Sequence, residues 1–165
     1  MILSKRPEID RFLKGPPSDV RAALIWGGDR GGVRERADVL AKAVAADPDD
    51  PFNVAVLSEA DLDRDGAKLI DELSALSLMG GWRLVRLRLT EGKAASDAAA
   101  AEALKAHAEG SLNPDAFFLV EAGRLERGSA LRKAGEAAKQ AVAIPVYEDE
   151  TGDIVRLVRE ALTAD

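Results

Sequence analysis

At 165 residues, 47% hydrophobic and 32% charged, the sequence has the length and composition of one globular domain with a sizeable core. No stretch approaches the ~20 apolar residues a membrane-spanning helix needs, and Met1-Ile2-Leu3-Ser4-Lys5 lacks the apolar core of a secretion signal, so a cytoplasmic location without membrane contact is expected. With no cysteine and one histidine, disulfides, thiolate chemistry and Cys-based zinc sites are excluded and a His triad has little scope; a net charge of −6 poorly suits a domain that grips nucleic acid by its own field.

In chain order, a short helix over 7–13 precedes the Gly15-Pro16-Pro17 break. Ala22 to Trp26 is an apolar run flanked by turn signals and reads as a buried strand. It leads into Gly27-Gly28-Asp29-Arg30-Gly31-Gly32, then a helix from Val33 to Ala46 that buries Val33, Ala37, Leu40, Ala41 and Val44. The Asp47-Pro48-Asp49-Asp50-Pro51 cluster is a loop, and Asn53 to Leu57 a second strand. Ser58, with Asp61 three residues on, can cap the next turn.

A helical run then extends from Asp65 towards Gly80-Gly81, with Leu69, Ile70, Leu73 and Leu76 at the spacing of a core-facing stripe. Leu78 breaks the stripe: nine residues past Leu69 lies about 180° around a helix, on the side facing water. Met79 sits at the margin, and the double glycine ends the helix through left-handed backbone. Two readings of Leu78 and Met79 stay open. The pair can pack back on the preceding turn as part of a helix cap, or it can plug a pocket on a partner.

Trp82 opens a third strand, Arg83 to Leu89, with Val85, Leu87 and Leu89 on one face and Leu84, Arg86 and Arg88 on the other. The three arginines Arg83, Arg86 and Arg88 either touch DNA phosphates, pair with the abundant acids or line a solvated strand face; the acidic total favours the last two over DNA. Ser96 to Glu109 is an alanine-rich helix with a weak stripe, expected to be peripheral and to leave His107 in solvent. Ala116 to Val120 is an unbroken apolar run, as in a central strand covered on both faces, with Phe117 and Phe118 in the core. Ser129 caps a helix to about Lys139; Ala141 to Val146 is the fifth strand, and the last helix falls near Asp153 to Leu162. Strands alternating with helices predict an α/β fold, a five-stranded parallel sheet with helices on both faces. Ligands of such sheets sit beyond the carboxyl ends of the strands, where Gly27 to Gly32 should lie.

Strand, glycine loop and helix make the frame of a P-loop, and Gly27 and Gly32 have its spacing. The frame requires Lys and then Ser or Thr next, to charge-match the β/γ-phosphates and hold magnesium. Here Val33 and Arg34 follow, and Arg34, one position late, points about 100° away from the lysine site. An Asp-Glu pair after the third strand is also missing, and Glu121-Ala122 is the nearest acidic position. As a dinucleotide fingerprint the loop fails too, because Asp29 stands where the second glycine belongs. The loop reads as a degenerate P-loop kept for its turn geometry, with no cofactor, metal or catalytic residue expected.

A P-loop frame without its chemistry, joined to Ser77-Leu78-Met79-Gly80-Gly81, resembles the amino-terminal domain of the delta subunit of the bacterial DNA polymerase III clamp loader. The resemblance runs through Ile25-Trp26-Gly27-Gly28-Asp29, Val33-Arg34-Glu35-Arg36-Ala37, Asp49-Asp50-Pro51-Phe52-Asn53-Val54, Leu76 to Gly81, and Gly128-Ser129-Ala130-Leu131-Arg132-Lys133, in that order. It implies a single AAA+-like domain over 1–165 of RecA/AAA+ type, without the lid and collar domains that follow in the family. It implies no ATP hydrolysis of its own, although the family is a subunit of a DNA-directed DNA polymerase, a nucleotidyltransferase, active in DNA replication. The implied partners are the sliding clamp (beta subunit), which the domain binds and opens, and other clamp-loader subunits, with little direct DNA contact. The family's clamp-binding Ser-Leu-Phe falls on Ser77, Leu78 and Met79, methionine replacing phenylalanine; methionine fills irregular pockets and can keep the contact. The alternatives are a residual P-loop nucleotide-binding enzyme and an interaction module of the same ancestry with another partner.

Overall fold

The structure is a computed structural model that describes residues 1–78 and 80–147. Met79 and the helix expected near Asp153 to Leu162 lie outside the described residues. Helix α1 (Arg6–Lys14) leads to β1 (Ala22–Gly27), α2 (Arg30–Val44), β2 (Val54–Ser58), α3 (Glu59–Arg64), α4 (Lys68–Ser74) and β3 (Arg83–Leu89). Helix α5 (Ala94–Ala108), β4 (Ala116–Ala122), α6 (Ala130–Ala137) and β5 (Ala141–Val146) follow.

The strands form one parallel sheet in the order β2-β3-β4-β1-β5. Because successive side chains point to opposite faces, each strand feeds two cores. On one face Ala23, Ile25, Leu84, Phe117, Leu119 and Ile144 pack beneath α1 and α2. On the other, Leu24, Val85, Leu87, Phe118 and Val120 pack beneath α3 to α6. The central strand β4 is buried along its whole length, as its continuous apolar run requires. At the sheet's edge, Ala143 NH donates to Met1 O and Leu3 NH donates to Ala143 O, so the amino-terminal segment covers β5. No helix among the described residues is long and apolar enough to cross a membrane.

Caps set several boundaries. Ser58 and Asp61 form the reciprocal capping box expected from their spacing. Ser129 accepts from Arg132 NH at the start of α6, and Asp97 of α5 accepts from the Ser129 hydroxyl at 2.6 Å and from Ala130 NH at 3.0 Å.

Helix α5 departs from expectation: it is a core element, not a peripheral one. Ala100, Ala101, Ala103, Leu104 and Ala108 are all buried. Alanine contributes little to an apolar stripe, but its small side chain lets α5 sit close to α6 and the sheet. His107 is accordingly buried rather than solvent-facing, at 0% exposure. Its Nε2 lies 2.7 Å from Ala116 O, and its ring meets Phe118 edge-on. A carbonyl can only accept, so Nε2 carries the proton.

Burial pulls the His107 pKa below the ordinary 6.5, outweighing the Ala116 hydrogen bond. A base whose folded pKa is depressed binds fewer protons folded than unfolded. Its stabilisation is therefore complete above the unfolded pKa and is lost as pH falls below it. Urea unfolding between pH 7.5 and 5.5 should show stability falling below about pH 6.5, with a slope of up to ~1.4 kcal/mol per pH unit from this residue. In H107Q that component should be missing.

Candidate functional site

Two places could carry function: the loop between α4 and β3, and the carboxyl edge of the sheet.

Helix α4 ends at Ser74, six residues before Gly80, so the stripe expected to reach Leu76 stops early. Leu69 and Leu73 are buried, while Ile70 and Leu76 are exposed. The cause is tertiary: Asn113, from the turn before β4, donates its backbone NH to Leu73 O and its side-chain Nδ2 to Ala75 O at 2.8 Å. These bonds satisfy the last carbonyls of the helix and turn the chain out. Ser77 Oγ then lies 2.5 Å from Asn53 Oδ1 and 3.0 Å from Gly80 O, and Gly80 NH donates to Ser77 O. Gly80 and Gly81 have φ of 77° and 86°, backbone that glycine adopts without strain.

Leu78 is therefore exposed on a tied turn rather than on the far side of a helix, and it is 86% exposed. Phe52, Leu76 and Trp82 are exposed on the same two loop segments that Ser77 and Asn53 join. Of the residues implied by resemblance, Ser77 forms the tie, Leu78 stands outward, and Met79 lies outside the described residues. Phe52 is an addition that sequence reasoning missed. Its NH donates to Asp50 Oδ1 and its carbonyl accepts from Arg83 Nη1, so an exposed aromatic stands on a fixed backbone.

At the carboxyl edge, the glycine segment is shorter than expected. Strand β1 runs through Gly27 and α2 begins at Arg30, leaving Gly28 and Asp29 between them. Asp29 is the reason. It caps α2, its carboxylate accepting from Gly32 NH at 3.0 Å, while Val33 NH bonds to Asp29 O. Gly31 and Gly32 are thus helical, and a backbone amide at the position of a phosphate cradle already holds a carboxylate. Gly27 is required by packing, since a Cβ there would come within 1.8 Å of Val146 O. Val33 is buried, and Arg34 leans away to Glu121, its Nε 3.2 Å from Oε1.

Glu121 is a hub that the sequence does not announce. It is buried at the end of β4. Arg86 Nε reaches Oε2 at 2.6 Å and Arg86 Nη2 reaches Oε1 at 3.2 Å, while Nη2 also donates to Asp38 at 2.6 Å. Arg88 Nε adds a contact to Glu121 at 3.3 Å. Burial works against the Arg86 charge, but the hydrogen bonds it donates to Glu121 and Asp38, with the attraction of their charges, outweigh it and hold its pKa above the ordinary guanidinium value. Arg83 is likewise buried, paired with the Glu72 carboxylate and donating to Glu72 O and Phe52 O. All three arginines pair with acids, as the charge balance suggested, but Arg83 and Arg86 do so inside the protein and not on a solvated face. Among the described residues no cluster of acids and histidine is built to hold a metal.

No family model matches the sequence, and no curated protein matches it either. Solved structures do. The DNA clamp loader delta protein of Bacillus subtilis superposes with a TM-score of 0.58 at 20% identity, over 86% of this chain and 42% of that one. A DNA polymerase III gamma subunit-related protein of Thermotoga maritima gives a TM-score of 0.50 at 17% identity, over 91% of this chain and 48% of that one. The chain shares their fold. It spans less than half the length of either.

The buried Arg86–Glu121 pair makes a direct stability test. E121A leaves a buried guanidinium with only Asp38 and is expected to cost ~3–5 kcal/mol in urea unfolding. Adding R86M should recover at least half of that loss.

Proposed function

We propose that this chain is the amino-terminal domain of a clamp-loader delta subunit and that it acts by binding, not by catalysis. Leu78, with Met79 beside it, docks in an apolar pocket of the sliding clamp, and Ser77 holds the turn that presents them. The observation that carries the reading is a leucine 86% exposed on a turn pinned through Ser77 to Asn53, in a fold shared with a clamp loader delta protein. A leucine held in water by a hydrogen-bonded turn gains when a partner covers it, and the turn has little freedom left to lose on binding.

The same reading assigns no ATP hydrolysis to the domain. Val33 supplies neither charge nor hydroxyl at the P-loop positions, and Asp29 occupies the Gly32 amide. Direct DNA contact is also assigned a minor part, since Arg83 and Arg86 are buried and engaged with Glu72 and Glu121 and the chain's net charge is −6. Other clamp-loader subunits are proposed as partners of the longer protein, and replication in the cytoplasm as its setting.

Fully burying one leucine contributes roughly 1.5–3 kcal/mol, about 10- to 150-fold in affinity. In a calorimetric titration of the chain against a sliding clamp, L78A is expected to weaken binding at least ~10-fold while leaving circular dichroism unchanged. Undiminished affinity in the folded variant would overturn the docking role.

A further inference from the structure

We propose that the groove between the carboxyl ends of α5 and α6, about 470 Å³ in volume, receives a short acidic segment of a partner protein, its carboxylates paired to Lys105, Lys133 and Lys139. The inference does not rest on the docking role of Leu78. That loop stands at β2 and β3, whereas the groove lies beside the entry to β5, at the other edge of the sheet.

The groove follows from small residues at helical spacing. Residues three and four apart share a helix face. On α5 that face carries Lys105, Ala108 and Glu109, and on α6 it carries Lys133, Ala134 and Ala137. Each helix thus sets a lysine beside alanine along the channel, and alanine leaves open the space that a longer side chain would fill. Ala138, Lys139 and Gln140 close the end.

The walls are fixed before anything binds. Asp97 of α5 holds the Ser129 hydroxyl and Ala130 NH at the start of α6. Helix α6 lies so close to β1 that a Cβ at Gly135 would come within 2.8 Å of Leu24 Cδ2. The helix ends have donors of their own. Arg21 Nη1 donates to Ala108 O at 3.2 Å, and the Met1 ammonium donates to Glu136 O and Ala138 O. The lysines are therefore not spent on capping, and a preformed groove loses little freedom when it is filled.

The charge along the groove is one-sided. Three lysines border it against a single acid, Glu109, in a chain whose net charge is −6. All three are exposed, and none pairs with an acid among the described residues. A peptide suits the groove better than a nucleic acid. The alanine floor offers no aromatic ring on which a base could stack, while Glu109 and the acidic chain oppose a dense run of phosphates. A peptide can place one apolar side chain on the alanines and carboxylates to either side. Gln140 adds an amide that both donates to and accepts from a peptide backbone.

The test follows the methyl signals of Ala108, Ala134, Ala137 and Ala138 by ¹³C NMR while the chain is titrated with a blocked peptide of four Glu-Glu-Leu repeats. The same peptide with Gln for Glu, and an oligothymidine of equal length, are the comparisons. Saturable shifts are expected with the acidic peptide, at least ~5-fold weaker with either comparison, and weakened by added sodium chloride because exposed pairs are screened. K105Q/K133Q should lower the affinity at least ~5-fold. A137E, which sets a carboxylate in the groove, should lower it further, and K42Q on α2 should leave it unchanged. Lys105, Lys133 and Ala137 are exposed, so these variants keep the fold, which circular dichroism checks. The proposal is overturned by an absence of shifts at ~1 mM acidic peptide, by equal affinity for the Gln peptide, or by full affinity in K105Q/K133Q and A137E. Tighter binding of oligothymidine at the same methyls, or shifts that grow with the concentration of the chain alone, would overturn it too, assigning the groove to nucleic acid or to a second copy.

Discussion

One buried guanidinium, that of Arg83, ties together the segments on which the exposed loop depends. It stands at the first position of β3 and donates to Phe52 O, to Glu72 O and to the Glu72 carboxylate. The entry to β2, the last turns of α4 and the start of β3 are therefore joined at one point. Asn113 closes the same end of α4 from the β4 side, and Ser77 closes the loop onto Asn53. Between these ties the chain has one place to go, outward, and Leu78 is carried with it. Removing Arg83 would leave two backbone carbonyls and a half-buried carboxylate without their donor. The loop is thus exposed because its neighbours are fixed, not because it is loose.

The two ends of the sheet have different characters. At the amino ends of β2 and β3 stand Phe52, Leu76, Leu78 and Trp82, large apolar side chains in water. At the carboxyl ends, arginines converge on Glu121, and Asp29 stands on the start of α2. The second arrangement explains what became of the P-loop frame. With only two residues between strand and helix, the backbone cannot wrap a triphosphate, and the cap keeps the helix end supplied with a negative group of its own. What positive charge remains at this edge is held on side chains of α2 and β3.

Much of the fold was legible because burial writes itself into strands. The unbroken run from Ala116 to Val120 announced a central strand, and alternation from Arg83 to Leu89 announced its two faces; both boundaries of β5 came directly from sequence. Caps with a side-chain mechanism, Ser58–Asp61 and Ser129, were legible for the same reason. What failed depended on contacts from elsewhere in the chain. The α4 stripe continues in sequence to Leu76, but Asn113, 39 positions beyond Ser74, ends the helix. Glycines read as loop at Gly31 and Gly32 are helical because Asp29 caps early. His107 looked exposed because alanines hide a buried face. Glu121 looked ordinary because its partners come from α2 and β3. At the apolar loop, Leu78 was read as water-facing for the wrong local reason, and Phe52, though it lies in a stretch that carries the resemblance, was not marked as exposed: an exposed aromatic is recognised only when its fixed backbone is seen.

The central claim is that the apolar loop at the amino ends of β2 and β3 is the surface that meets a sliding clamp. The most direct measurement is a backbone amide NMR titration of the unmodified chain with an unlabelled clamp ring. The account predicts that signal changes and line broadening concentrate on residues 50–53 and 76–82 and spare Arg30, Arg34 and Arg88. Changes centred on the carboxyl edge instead, or no change at clamp concentrations of about 100 μM, where even a weak ~10 μM complex would be mostly formed, would contradict it.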